Sequence, residues 1–151
     1  MNKLALGIQL SIENWTLFQI RLFERESLAI YADEKKETFR DWLQKYFQGI
    51  SSPFPFKISL SNQTDFSLSV LSSLQKIPRG TVISYKDLAK EIGRPKAYRA
   101  VGNALNKNPY PLLFPCHRVC NEQGKIGGFA SGKGIKKALL ELESYTGFAG
   151  F

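Results

Sequence analysis

Over roughly the first thirty residues, apolar and polar positions follow no helical period. From Lys3 to Tyr31 β-branched, aromatic and polar residues are mixed, and Trp15-Thr16-Leu17-Phe18-Gln19-Ile20-Arg21-Leu22 alternates over part of its length. Successive side chains on a strand point to opposite faces, so this pattern predicts two or three antiparallel strands. The period then changes. Phe39, Trp42, Leu43, Tyr46 and Phe47 fall on one face at helical spacing, and Gly49 offers a stop. Ser51-Ser52-Pro53-Phe54-Pro55 suits neither a helix nor a central strand, so it reads as a linker, with a module boundary near residues 50–63.

Beyond the linker the pattern is helical in short pieces. Thr64-Asp65 offers an N-cap, and Phe66, Val70 and Leu74 mark a helix that must stop before Pro78-Arg79-Gly80. Ser84 and Asp87 resemble a capping pair for a second helix that ends at Gly93. After the turn Gly93-Arg94-Pro95, a third helix over about 96–107 buries Ala97, Val101, Ala104 and Leu105 and turns Arg99, Gly102, Asn103 and Asn106 outward. Helix, tight turn, helix is the helix-turn-helix arrangement, although a plain helical hairpin in a core has the same pattern. The outward face carries small residues around the single long cation Arg99, which suits close approach to a groove better than base readout. Gly124 to Gly134 is a glycine-rich loop, and Ile135, Ala138, Leu139 and Leu142 predict a closing helix that ends near Glu143. The fold class is therefore α/β in the α+β sense, a small strand-rich module followed by a mainly helical one.

Composition sharpens this picture in three ways. Hydrophobic residues make up 43% of the 151, enough for a buried core and against wholesale disorder. The net charge of +8 is uneven: residues 1–63 hold 8 Lys and Arg against 7 Asp and Glu, whereas residues 64–151 hold 13 against 6. Basic charge gathered on the helical part is what a polyanion surface needs, though solubility alone also favours basic proteins. The two cysteines, Cys116 and Cys120, cannot form a disulfide framework, and with His117 as the one histidine a zinc site lacks ligands, so no metal or other cofactor is expected. The apolar stretch Leu4–Ile8 is too short for a signal-peptide core and no run approaches a membrane span, which predicts a cytoplasmic, reducing location.

The sharpest local feature is Pro115-Cys116-His117-Arg118. A thiol reacts as thiolate, and neighbouring His and Arg can lower its pKa, so a nucleophile is plausible here. The plain alternative is a small buried Cys beside a surface His. If the segment is extended, Cys116 and His117 point to opposite faces and a bridging water must carry the proton between them. Glu143, at the end of the last apolar helix face, is a candidate to orient the imidazole.

Taken together, Asn108-Pro109, Pro111, Pro115-Cys116-His117-Arg118-Val119, Gly127-Gly128-Phe129 and Leu139-Leu140 with Glu143 closely resemble the O6-alkylguanine-DNA alkyltransferases, also called methylated-DNA-protein-cysteine methyltransferases. The likeness extends upstream through Ile77-Pro78-Arg79-Gly80, Ser84-Tyr85 and Arg99-Ala100-Val101-Gly102, and covers residues 64–145. It implies that Cys116 accepts an alkyl group from O6-alkylguanine, with alkylated thymine left open, once per molecule. It further implies that His117 deprotonates Cys116 through a water, that Glu143 orients His117, and that Asn108 holds the turn into the active segment. Arg99 would fill the space left by an extruded base, Tyr85 would help rotate the nucleotide and protonate the departing guanine, and Lys86, Arg94 and Ala100 would lie on the DNA. Phe129, Ala130 and Val119 would form the substrate pocket, with Phe129 standing where the family usually has Tyr, and with Ala130 offering only a backbone N–H.

The same resemblance divides the chain into an N-terminal α/β domain with linker, 1–63, and a DNA-binding alkyltransferase domain, 64–151. The partner implied is double-stranded DNA, entered through the minor groove by a monomer. Two other classes share some of these features. A helix-turn-helix regulator would use Cys116 only structurally or as an alkylation sensor, and a Cys-His hydrolase would turn over and need an oxyanion hole.

Overall fold

The computed structural model describes residues 5–13, 16–25, 34–145 and 147. Two long strands, β1 (Ala5–Glu13) and β2 (Thr16–Arg25), pair antiparallel from Ala5↔Arg25 to Glu13↔Thr16, with a register shift at Ser11/Ile12. The rest of the expected strand region, including Trp15 and 26–31, lies outside the described residues. Helix α1 (Glu34–Gln48) ends at Gly49 as its pattern predicts. A third strand, β3 (Lys57–Ile58), then joins β2 in parallel, which corrects the all-antiparallel expectation. The cause is the crossover: α1 carries the chain back across the sheet before it re-enters beside β2, and such a connection produces a parallel pair.

The face of α1 is buried as its period requires. Phe39 and Trp42 are buried, and their rings pack with Tyr46, Phe54 and Phe56 at centroid distances of 5.0 to 6.5 Å. Each fully buried ring of this size contributes about 2–3 kcal/mol. Phe54 and Phe56 come from the proline-rich segment, so that segment runs along the core with its aromatic side chains as anchors.

The remaining chain is helical. Helix α2 (Asp65–Leu74) begins at Thr64, whose hydroxyl accepts the Ser67 N–H at 3.1 Å. Strand β4 (Ile83–Ser84) leads directly into α3 (Tyr85–Glu91), where the Ser84 hydroxyl accepts the Asp87 N–H at 3.0 Å and donates to the Asp87 carboxylate at 2.7 Å. Helix α4 (Tyr98–Asn106) packs on α2 and α3 with Val101, Ala104 and Leu105 buried, whereas Ala97 caps it half-buried. A single 3-10 turn, Cys116–Arg118, runs into β5 (Val119–Cys120), which pairs in parallel with β4.

Helix α5 (Lys133–Leu142) closes the fold but presents a different face from the one its leucines suggest. Ile135, Lys136, Leu139 and Leu140 are buried and Glu143 follows them inward, while Leu142 is 50% exposed and Ala138 is only half-buried. The helix is turned so that two charged residues enter the interior, because partners there satisfy them, as the site shows.

One apolar cluster joins the sheet to the helices, running from Leu17, Ile20 and Leu22 through Val70, Leu88 and Val101 to Ile135. Polar contacts reinforce it. The Ile20 N–H donates to the Pro109 carbonyl at 2.7 Å. The Tyr110 hydroxyl lies between the carbonyls of Leu17 (2.8 Å) and Ser59 (2.6 Å) and accepts the Ser59 N–H at 3.0 Å. No helix among the described residues is long and apolar enough to cross a membrane.

Candidate active site

The loop between α4 and the cysteine is held from one side chain. Asn108 donates to the Phe114 carbonyl at 2.8 Å and accepts the Tyr110 N–H at 3.0 Å, so it clamps both ends of 108–114. Within that clamp Leu112 sits at φ +78°, a strained conformation for a branched residue, which persists because its side chain is buried and the loop is pinned on either side. The Cys116 N–H first reaches back to Phe114 O at 2.7 Å, and the 3-10 turn then bonds from Arg118 N–H to Pro115 O at 3.0 Å and from Val119 N–H to Cys116 O. The extended conformation considered for Cys116-His117 is therefore replaced by a tight turn.

That turn aims His117 and Arg118 at one carboxylate, Glu143, while Cys116 lines the cavity. His117 is fully buried and its Nε2 lies 2.9 Å from Glu143 Oε1. Arg118 turns to the same carboxylate. Its guanidinium donates to both Glu143 oxygens, at 2.9 Å from Nε and 2.8 Å from Nη2, and to the Ile77 carbonyl at 2.6 Å. The expectation that Arg118 helps ionise Cys116 is corrected here: its charge is spent on Glu143.

Glu143 is 3% exposed, and burial by itself would raise its pKa, but the hydrogen bonds and charges of His117 and Arg118 hold it well below the usual carboxylate range. It is therefore ionised. His117 moves the other way: burial lowers its pKa and outweighs the attraction of Glu143. A neutral imidazole facing a carboxylate must carry its proton on Nε2 and donate it, which leaves Nδ1 as a bare lone pair. Nδ1 is buried and has no hydrogen-bond partner among the described residues.

Cys116 is 6% exposed and burial pushes its thiol up. Opposing that are the Asn108 side chain, the Lys136 ammonium and the backbone N–H groups of Cys116 and His117, all of which favour thiolate. Lys136 was not legible as a site residue. It is fully buried, donates to the Val119 carbonyl, and lies 5.9 Å from the ring centroids of both Tyr85 and Phe129.

Cys116 lines a cavity of about 440 Å³ together with Asn108, Pro111, Leu105, Phe129 and Ala130. Its opposite wall is β2, through Gln19, Ile20 and Leu22, a contribution from the N-terminal strands that no local motif announces. Val119, expected to line this pocket, is not among the residues that line it: it is fully buried and pairs with Ile83 in the short ladder.

Tyr85 is half-buried at the start of α3, and its hydroxyl donates to the Gly128 carbonyl at 3.2 Å. A Cβ on Gly127 would come within 3.1 Å of that ring, so the glycine permits the loop to close over Tyr85. Arg99, Ala100 and Asn103 on α4 are exposed, as is Arg94, which lies 5.7 Å over the Phe66 ring. Lys86 pairs with the Glu122 carboxylate at 2.8 Å, an exposed, solvent-screened pair that a phosphate can displace.

The site thus holds a buried thiol, a His–Glu pair next to it in the chain and a cavity that α4 reaches through Leu105 and Asn106. Residues 65–145 match the family model described as 6-O-methylguanine DNA methyltransferase, DNA binding domain. A methylated-DNA–protein-cysteine methyltransferase of Methanosarcina barkeri is 44% identical over 124 residues, 79% of this chain and 78% of that protein. Among solved structures, Mycobacterium tuberculosis OGT in complex with DNA superposes with a TM-score of 0.74 at 37% identity, covering 90% of this chain and 85% of that one. The O6-methylguanine-DNA methyltransferase of Pyrococcus kodakaraensis gives 0.66 at 26%, covering 92% and 99%. The chain belongs to the methylated-DNA–protein-cysteine methyltransferase family. It is a DNA-binding protein of direct alkyl repair, and the non-catalytic regulator is not favoured.

Proposed function

We propose that this chain repairs O6-alkylguanine in double-stranded DNA by moving the alkyl group, once and irreversibly, onto Sγ of Cys116. The observation that carries the reading is the cavity in which Cys116 sits beside the clamp of Asn108 and under Phe129, with the His117–Glu143 pair buried next to it. His117 Nδ1 takes the thiol proton through a bridging water, while Glu143 holds the Nε2 tautomer. The thiolate attacks the alkyl carbon, the S–C bond forms, and the C–O6 bond breaks with its electron pair leaving on the guanine. The departing guanine takes a proton from the Tyr85 hydroxyl while the Ala130 N–H holds its oxygen, and the proton taken up by His117 passes through solvent to the Tyr85 oxygen, leaving both groups neutral. Phe129 supplies a ring face for the base. The product is a thioether that nothing in the site can cleave, so one molecule repairs one lesion.

The target oxygen is out of reach inside a duplex, so the nucleotide is rotated out. Small residues on α4, Ala100 and Gly102 among them, suit a close approach to the minor groove, with Arg94 and Lys86 on the backbone. We assign residues 64–151 to the DNA-binding transferase domain and 1–63 to a supporting domain that walls the cavity, and we take the protein as a cytoplasmic monomer; both cysteines are free. The test is stoichiometric. With DNA carrying radiolabelled O6-methylguanine, label should reach one per protein and be recovered on the Cys116 peptide. Turnover beyond one, or label on Cys120, overturns the proposal.

Arg99 has a separable role. As the long exposed cation on α4, it fills the gap in the stack left by the flipped base and recovers part of the unstacking energy. Arg99→Ala should slow duplex repair about 10- to 100-fold, corresponding to about 1.4–2.7 kcal/mol, and leave reaction with a free O6-alkylguanine base within about twofold. Single-turnover kinetics on both substrates measure this. Equal loss on both would make Arg99 a support of the pocket.

A further inference from the structure

We infer that Tyr46, on the N-terminal helix α1, is a positioning residue for the thiol relay: its hydroxyl shares Glu143 Oε1 with His117 and thereby sets how strongly His117 binds a proton. The inference rests on the relay reading of His117 and Glu143 given above.

The geometry is specific. Oε1 accepts three hydrogen bonds, from Tyr46 Oη at 2.8 Å, His117 Nε2 at 2.9 Å and Arg118 Nη2 at 2.8 Å, whereas Oε2 accepts only Arg118 Nε at 2.9 Å. The Tyr46 contact spans 97 residues of sequence and is the hydroxyl's route from the N-terminal part into the relay. It is not a chance touch of two surfaces. The Arg79 guanidinium donates to the Tyr46 carbonyl at 2.6 Å and the Phe47 carbonyl at 2.7 Å, and also to the Leu142 carbonyl at 2.8 Å. One cation thus satisfies the C-terminal carbonyls of α1 and α5 together and sets the two helix ends at a fixed offset. Gly80, at φ +74°, lets the turn beside Arg79 close on the Glu143 carbonyl, since a Cβ there would stand 2.7 Å from that oxygen. The Tyr46 ring is held by Trp42 at 5.4 Å and Phe47 at 5.4 Å.

The chemistry follows from sharing one oxygen. A hydroxyl donated to Oε1 disperses the carboxylate charge that would otherwise act on the imidazole, so it lowers the proton affinity of His117. The charged and titratable groups around the relay are Arg118, Arg79 over the Tyr46 ring at 5.9 Å, and Lys136 acting on His117, with Cys116 beside it. Burial and the neighbouring Glu143 keep the Tyr46 hydroxyl protonated throughout the working range, so it serves as a donor only.

Tyr46→Phe keeps the ring and removes the donor. The chain has a single histidine, so the imidazole NMR signal of a labelled-histidine sample reports His117 alone. In the variant the His117 pKa should rise by about half a pH unit or more, and because the neutral imidazole is the base, the acid limb of Cys116 alkylation by a free O6-alkylguanine base should move up by a similar amount, about a threefold slower rate on that limb. Glu143→Gln and the double variant separate the outcomes. If Glu143→Gln leaves the profile unmoved, the relay reading itself fails. If Glu143→Gln moves it and Tyr46→Phe does not, the Tyr46 assignment alone is overturned, as it is if Tyr46→Phe produces the same shift in the Glu143→Gln background. A lower melting temperature without a shift in the His117 titration makes Tyr46 a packing residue and overturns the assignment.

Discussion

Cys116→Ala should transfer no alkyl group at all while remaining folded and bound to DNA. The loss is complete because no second acceptor is available to the substrate. Cys120, the other thiol, is 1% exposed, sits in the two-residue ladder opposite Ser84, and does not line the cavity. Its pKa is raised by burial, with only the Lys136 charge to oppose that. The fold survives because Ala removes one buried atom without orphaning a charge: Asn108 keeps its bond to Phe114 O, and the His117–Glu143–Arg118 set is untouched. A small cavity of this kind costs about 1 kcal/mol, or about 2–4 °C in melting temperature for a chain of this size. The α4 face lies outside the change, so binding of unmodified duplex should stay within about twofold. Intact-mass spectrometry after incubation with O6-methylguanine DNA, beside a binding titration, decides it. Any mass gain in the variant would move the acceptor elsewhere.

What could be read in advance depended on how local the determining physics was. The α1 face and the caps at Thr64 and Ser84 were legible, because a helical period and a side-chain oxygen three residues before a free N–H act within one turn. The Cys-His-Arg segment and Glu143 were legible as a resemblance, and the fold brings His117 and Glu143 within 2.9 Å. The conformation joining them was not. A three-residue 3-10 turn carries no period, and its form is imposed by the Asn108 clamp and by the fit of Leu112 in a strained loop. The two-residue pairings of β3 and β4 with their partners were equally silent, since too few residues take part for alternation to emerge.

The interior charges were hidden for a different reason. Lys136 carried no local signal and Arg118 was matched to the thiol rather than to Glu143, because a charge goes inside only when specific partners meet it, and those partners are the Val119 carbonyl and a carboxylate 25 residues away. Helix α5 shows the consequence. Its leucines proposed Leu142 for the core, yet Leu142 is half exposed and Lys136 is inside. The helix orientation is decided by where Glu143 must lie rather than by hydrophobic count. Tyr46 and the β2 wall of the cavity belong to the same class: each is a contact between the two halves of the chain, and local pattern does not encode distance in three dimensions.

Glu143→Gln should be the most costly single change in the relay, in stability and in rate together. The Arg118 side chain is 10% exposed and takes both its charge partner and two of its hydrogen bonds from Glu143. Gln keeps one acceptor oxygen but turns an NH2 group toward donors, leaving a buried guanidinium without a counter-charge; breaking such a pair costs about 3–5 kcal/mol, and the retained acceptor puts this case near the lower end. The melting temperature should fall by about 6–12 °C. Its pH dependence should change as well. The Glu143 pKa is depressed in the folded state, so its stabilisation is complete above the unfolded carboxylate value of 4.5 and is lost as pH falls toward the folded one. His117, with a folded pKa below its unfolded value of 6.5, also withdraws stability on acidification, beginning at that higher pH. The parent should therefore lose stability in two stages, and Glu143→Gln should lack the lower one. Chemistry should follow the same charge. Without the carboxylate, His117 is a weaker base with an unanchored tautomer, so alkylation near neutral pH should drop about 100-fold. The acid limb should shift upward, and the rate should recover at alkaline pH where the thiol ionises unaided. Denaturation midpoints across pH and the pH–rate profile with a free O6-alkylguanine base, taken well below the variant's melting temperature, measure both. A variant that melts early yet keeps the parent's pH–rate profile would show that Glu143 holds Arg118 in the fold and leaves the thiol to ionise by other means.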